Sequence, residues 1–449
     1  MDIRRLTRLT CCWIAAACAL AANAQNGAAP EPPDNLNEIL GIEECIEIGL
    51  EYAAAIRAAK LSESASRLSL QDAQSAYMPT IQTQGAYFAN DRIDFDIERE
   101  NLDWRITANY TLWDHGRRRI QLNQARNSLE SAQTDLERNR QDLVLAVVQA
   151  YYRQLEAQKL VELDKSLLEA SQENAEKVRA FMLIGKTAVE ADVAAAEVRV
   201  AADELALLND ENALSIAQAQ LPRTLGLPPE QPIQIADDPG FTLYQETGQF
   251  ERYAKTLEET VAEAIQKRPA VKTSELDLRF FELGLKRAAR ERLPQLTAQA
   301  NYGVDLHNFL RERENFKQFR SWDAAARLSF PIFDAGYSRR QLDRANINLL
   351  RARELHDDLK RGISLDATQA YYNLKQAEKR LDISAVQVRN AQLNLDVTAE
   401  QYAQGLVILL ELLDAQTQFG QAKTNQVRAY YDYKIAQRSL ERSVGKAAP

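Results

Sequence analysis

Between Leu122 and Leu160 apolar and small residues return every three or four positions: Leu122, Ala125, Leu129, Ala132, Leu136, then Leu143, Ala146, Ala150, Ala157, Leu160. That spacing is a heptad seam, and its alanines permit close helix approach. Residues 117–184 hold neither glycine nor proline, so the seam predicts one helix of roughly 100 Å. It returns at Leu342, Ala345, Leu349 and Ala352. Other stretches alternate with period two. Residues 104–113 set Trp104, Ile106, Ala108, Tyr110 and Leu112 against Arg105, Thr107, Asn109 and Thr111. Residues 296–304 and 322–330 do the same, the latter with Trp322, Ala324, Ala326, Leu328 and Phe330 on one face, and 80–89 does so more weakly. Strands of about ten residues with one apolar face and terminal aromatics are the pattern of transmembrane barrel strands, though half-buried soluble strands share it.

The pattern occurs twice. "LWDHGRRRIQLNQAR" (112–126) echoes "IFDAGYSRRQLDRAN" (332–346), "QAYYRQLEAQKLVEL" (149–163) echoes "QAYYNLKQAEKRLDI" (369–383), and Gly185 echoes Gly405, all at one offset. Pro79 with Pro294 and Tyr87 with Tyr302 stand at a slightly smaller one. Each half reads as a helix (about 40–77 and 255–292) ending before a proline, two strands, a long helical arm, a glycine and a second arm. The expected organisation is therefore an internal duplication. Residues 25–230 form the first repeat, 231–250 a Pro-rich linker and 251–449 the second repeat, with the Pro-rich stretch 221–241 joining the halves. One chain supplies four strands, whereas a closed barrel in lipid takes about eight at the least. Three copies would give twelve; two would give a minimal barrel filled by side chains.

The first residues read as a secretory signal: Arg4, Arg5 and Arg8, an apolar core, and "ANA" at 22–24 as cleavage site, giving a signal peptide at 1–24. Cys18 ends a poor lipoprotein box. Cleavage leaves only Cys45, so no internal disulfide is expected. No later run of about 20 apolar residues predicts a spanning helix. At 449 residues, 27% charged and 45% apolar, the chain is foldable. Its net charge of −9 argues against nucleic acid as a partner. His115, His307 and His356 are widely separated, and no P-loop, serine elbow or paired-glycine fingerprint occurs. The chain is therefore not expected to be an enzyme, and no cofactor or metal site is expected. His356 aligns with Leu136 of the first half on the seam and reads as a packing or pore-facing residue rather than a ligand.

"AQGLVILLELLDAQTQF" (403–419) sets Glu411 and Asp414 among leucines, three positions apart and so on one helix face. By itself this reads as a solvated face opposite a packed one. Two such acids without a companion histidine, lysine or metal ligand make a poor catalytic pair.

The duplicated Pro-strand-strand unit, "FPIFDAG" (330–336), both "QAYY" segments and "YAQGLVILLELLDAQTQF" (402–419), in this order behind a signal, resemble the TolC family of outer-membrane efflux proteins. The resemblance covers nearly the whole mature chain. It implies a mostly α chain with a small β part. Three chains would build a 12-stranded outer-membrane β-barrel continued by a long α-helical periplasmic tunnel. It also implies a homotrimer set in outer-membrane lipid, with a periplasmic adaptor (membrane fusion protein) and an inner-membrane transporter as partners. The function implied is the exit duct of a tripartite efflux or type I secretion system. A periplasmic coiled-coil scaffold or adaptor without a barrel is the alternative.

Carried onto this sequence, the family's pore constriction falls on Glu411 and Asp414, and Tyr402 matches a tyrosine that latches the closed tip. The tip and adaptor-docking positions are Gly405, Gly185, Lys186 and Asp192. Two departures stand out. Position 407 is Val where relatives can carry a basic latch residue, and Asp192 lies one residue later after Gly185 than the family spacing. The latch is thus expected to differ, using Lys186 or Glu190.

Overall fold

The structure, a computed structural model, describes residues 39–92, 97–183, 189–305 and 320–446. The signal segment, Cys18, Gly185, Lys186 and His307 lie outside the described residues. The elements run α1 (Ile42–Tyr52), α2 (Ala54–Ser75), β1 (Thr80–Arg92), β2 (Ile97–Trp113), α3 (Arg117–Leu183), α4 (Glu190–Leu225), α5 (Pro239–Thr247), α6 (Leu257–Lys267), α7 (Pro269–Arg290), β3 (Gln295–Asp305), β4 (Arg320–Ser329), α8 (Tyr337–Ala403) and α9 (Leu409–Val444). The chain is mostly helical with a small sheet. No described helix is long and apolar enough to cross a membrane.

The glycine- and proline-free run forms a single helix, α3, of 67 residues, and α8 has the same length. Its seam is a strict seven-residue series: Leu136, Leu143, Ala150, Ala157, Asp164, Ser171 and Val178 are all buried. Toward the sheet the seam differs from expectation. Leu122, Ala125, Leu129 and Ala132 are only half-buried, and Ile120, Asn127 and Thr134 take the core positions. The reason is a change of partner: there α3 packs on α7, whose Leu276 carbonyl accepts a 2.7 Å hydrogen bond from Asn127 Nδ2. In α8 the buried series is Leu349, His356, Ile363, Ala370, Ala377 and Ser384. His356 sits in it with Nδ1 3.0 Å from Ser274 Oγ.

The two first helices are not continuous, which corrects the expected 40–77 and 255–292. Each breaks at one extended residue: Ala53 (φ −62, ψ 130) and Arg268 (φ −67, ψ 127). Arg268 precedes Pro269, which disfavours the helical region for it. Ala53 has no following proline. Its break is seated instead by Gly226, the left-handed cap of α4 (φ 88), whose absent Cβ would lie 2.4 Å from the Tyr52 carbonyl oxygen. Gly445, capping α9 at φ 77, lies against Arg268 in the same way. Burial pushes the Cys45 thiol up to about 12, with help from the Glu44 charge, so it stays an inert core group.

The strands pair antiparallel in the order β1-β2-β3-β4. Register brings the apolar positions together: Ile106 faces Tyr302 and Tyr302 faces Trp322, then Ala108, Ala300 and Ala324, then Tyr110, Ala298 and Ala326. The other face carries Thr107, Asn301 and Asp323, with Asn301 Nδ2 donating to Asp323 at 2.8 Å. β1 and β2 run longer than the alternating stretches suggested. A register shift between Thr111 and Trp113 interrupts the β2–β3 ladder before its last pair, Trp113 with Leu296.

Both strand-to-helix turns repeat one device. His115 and Gly116 (φ 53 and 76), like Ala335 and Gly336 (φ 50 and 77), are left-handed in succession. The preceding Asp114 or Asp334 carboxylate accepts from backbone N–H groups of the turn and first helical residues: Gly116 and Arg118, or Gly336 and Ser338. Such anchoring supplies acceptors for otherwise orphaned donors at a helix start.

Candidate functional site

At the end of the helical arms away from the sheet, α8 closes at Gly405 (φ 73). Its N–H donates to the Tyr402 carbonyl, and the Leu406 N–H to that of Gln401. This is the glycine-capped helix end that leaves a short turn into α9. Three of the leucines in the 409–413 run have a common purpose. Leu409, Leu412 and Leu413 are buried with Val178 of α3, and Val193, Ala195, Leu395 and Tyr402 pack against them. Glu411 and Asp414 point away from that cluster and are exposed. Among the described residues neither carboxylate has an ion pair; Gln418 Nε2 donates to Asp414 at 2.7 Å.

Asp192 and Glu411 both occupy the third position of their helices, α4 and α9. Asp192 closes its helix start by accepting the Val189 N–H at 2.9 Å. Among the described residues Glu411 makes no such bond, and its carboxylate faces solvent. Tyr402 and Asp192 are brought together: burial, then the Asp192 charge, pushes the Tyr402 phenol up. Gly405 marks the turn as expected, Glu190 is exposed in the first turn of α4, and Val407 supplies no charge.

The wet face continues along α9. Glu411, Gln418, Asn425 and Asp432 follow at seven-residue intervals, as do Asp414, Gln421 and Arg428. All are exposed except half-buried Asp432. Beyond Leu410 no large hydrophobic side chain of α9 is exposed. By contrast α4 exposes Val198, Leu205, Leu208 and Ile216, and α8 exposes Leu365, Tyr372, Ile383 and Leu393 among others. Between α3, α4 and α9 lies an open cavity of about 820 Å³, with Arg153, Glu156, Asp210 and Arg428 around an alanine-rich floor.

Sequence reading missed the polar groups inside the arms. Arg199 pairs with Asp203 at 2.9 Å, with both side chains largely buried, and donates to Thr417 Oγ1 of α9 at 2.6 Å. The four-residue spacing of Arg199 and Asp203 was the available signal. Asp164 occupies a seam position. Burial, then the charge and hydrogen bond of Asp210 and the charge of Asp203, pushes it up to about 6. Because this folded-state value lies above the unfolded one, the protonated form is favoured by folding. Stability should rise as pH falls from about 6 toward the unfolded carboxyl range. Asp164→Asn is expected to raise the thermal midpoint at pH 8 and to flatten its pH dependence between about 4 and 6. An unchanged pH profile would show that the carboxyl is not protonated in the fold.

Each long helical arm thus has a sheet with one apolar face at one end and a wet, acid-bearing face at the other. The chain belongs to the outer membrane efflux protein family, which matches residues 46–227 and 260–446. That is a transport family rather than an enzyme family. Curated relatives include outer membrane protein TolC of Salmonella enteritidis, 22% identical over 166 residues (36% of this chain, 34% of the relative). TolC of Escherichia coli (strain K12) is 25% identical over 118 residues (26% of this chain, 24% of the relative). The matched stretches thus span about a third or less of those relatives' length. Similar solved folds include CusC (TM-score 0.78, 17% identity, 90% of this chain and 92% of that one). OprN gives 0.74, 18%, 94% and 96%. The open state of the Neisseria gonorrhoeae MtrE channel gives 0.76, 18%, 90% and 88%.

Proposed function

We propose that the chain is one third of an outer-membrane exit duct, and that the sheet carries this reading. Among the described residues β1 and β4 are the edge strands of the sheet, and the register sets tyrosine, tryptophan and alanine side chains on one common face. In lipid every edge must be closed. Three copies close twelve strands around a lumen, with the apolar face outward and Thr107, Asn301 and Asp323 inward. The helices support the same symmetry. The exposed apolar residues of α4 and α8 suit burial against the next copy, while the polar face of α9 suits a water-filled tube. The equal lengths of α3 and α8, and of α4 and α9 (36 residues each), support reading 25–230 and 251–449 as tandem repeats about the 231–250 linker.

In this duct the barrel lies in the outer membrane and the arms reach into the periplasm. Glu411 and Asp414 of three copies make a ring of six carboxylates at the tip constriction, with Tyr402 and Asp192 as a latch between the helical hairpins. The turns at Gly185 and Lys186, and at Gly405, are the docking positions for a periplasmic adaptor linked to an inner-membrane transporter. Small toxic molecules or secreted proteins then pass from transporter to exterior. Fractionation of cells expressing the full chain tests this reading. The protein should sediment with outer membrane and resist extraction by salt; recovery in the soluble periplasm would favour a barrel-free scaffold.

A further inference from the structure

We infer that the helix ends next to the sheet form a basic collar that binds anionic phospholipid headgroups of the periplasmic leaflet, an assignment that rests on the exit-duct reading. The chain as a whole has a net charge of −9. Its four sheet-proximal helix ends, residues 69–78, 117–126, 286–292 and 337–344, nevertheless hold eleven lysines and arginines against three carboxylates. The turn acids Asp114 and Asp334 accept backbone N–H groups. Some of the cations are structural: Arg117 donates to the Arg290 and Leu293 carbonyls, and Arg290 to those of His115 and Gly116. Others have no such task. Arg119, Arg126, Lys286, Arg287, Arg339 and Arg344 are exposed, and among the described residues their side chains make no ion pair or hydrogen bond.

Their placement suits a membrane surface. On the sheet side of them Trp113, Ile332 and Phe333 are exposed, the last two at 88% each. An apolar sheet face, then aromatic side chains, then cations is the order that fits a bilayer boundary with anionic headgroups. Arg119 and Arg339 are each the third residue of their helix, α3 and α8. They therefore lie within about 5 Å of the helix starts, inside a headgroup layer about 5–8 Å deep. Helical side chains lean toward the N-terminus, which here is the sheet, and long stems carry the charge to the headgroups. The face is the outer one. α1 and the linker add a second layer on α3: a Cβ on Gly49 would lie 3.2 Å from Val147, and Gln154 Nε2 donates to the Ile233 carbonyl at 3.2 Å. A second layer on the wall of an open duct lies outside it. Arg119 and Arg126 precede Val147 and Gln154 by whole multiples of seven residues, and so share that face.

Native mass spectrometry of the purified full-length protein in detergent, titrated with phosphatidylglycerol or phosphatidylcholine, tests the collar. A cation near an anionic surface contributes about a fivefold gain in affinity. Wild type should therefore bind phosphatidylglycerol at least about tenfold more tightly than phosphatidylcholine. The triple variant Arg119→Gln/Arg126→Gln/Arg339→Gln should lose most of that preference. Arg119→Lys/Arg126→Lys/Arg339→Lys, which keeps the charge, should retain it. Equal affinity of wild type for the two lipids, or a glutamine variant that keeps the preference, overturns the collar alone. A glutamine variant that falls to single chains while wild type does not would show that these side chains meet the next copy, and overturns it too. A wild type that is a single chain binding neither lipid overturns the duct reading and the collar with it.

Discussion

Gly226→Ala should lower the thermal midpoint of the detergent-solubilised protein more than any other glycine-to-alanine change at a helix turn. Two costs coincide there. The residue is left-handed, at φ 88, where an alanine costs about 1–2 kcal/mol. Its Cβ would also meet Tyr52 O at 2.4 Å and Ala53 Cα at 2.8 Å, both backbone atoms that cannot rotate away. Overpacking of that kind adds about 1–3 kcal/mol. Gly445→Ala should behave similarly, because its Cβ would lie 2.8 Å from Arg268 Cα. Gly405 provides the control: it is left-handed at φ 73 but has nothing within 4 Å of a Cβ. Gly405→Ala should show the conformational cost alone. Melting curves of the three variants separate the terms. A Gly226→Ala protein no less stable than Gly405→Ala would mean that the α1–α2 break is not seated on this glycine.

Glu411→Ala combined with Asp414→Ala should abolish most of the cation selectivity of the closed pore. Both carboxylates are exposed, lack ion pairs among the described residues, and lie outside the Leu409, Leu412, Leu413 and Val178 cluster. Their loss therefore removes charge without removing core packing. A cation about 4 Å from one carboxylate gains about 4 kcal/mol at an effective dielectric near 20. In the proposed duct a ring of six would make the mouth a cation site and exclude anions. Block by a multivalent cation from the tip side should weaken by about tenfold or more, since about 1.4 kcal/mol suffices for that factor. The reversal potential in a salt gradient should move toward the non-selective value. Unchanged block and selectivity would mean that the two acids face bulk water.

The long arms were legible because α3 contains no residue that stops a helix and its seam keeps a seven-residue period. The strand faces were legible because alternation survives pairing: Ala108, Ala300 and Ala324 align across three strands. The break at Arg268 was half-announced by Pro269. The break at Ala53 was not, because its cause is Gly226, far along the chain. The polar seam residues Asn127 and Asp164 broke the apolar pattern, since their partners sit on other helices; Thr134 did so while bonding the Glu130 carbonyl of its own helix. At the tip, the shared face of Glu411 and Asp414 followed from spacing alone. The Arg199 to Thr417 bond crosses between hairpins, and no local pattern records such a pairing.

The central claim, that four strands per chain are completed by other copies, is tested most directly by native mass spectrometry of the purified full-length protein in detergent. The account predicts a species of three chains that persists on dilution. A stable, folded monomer retaining its full strand signal would contradict it.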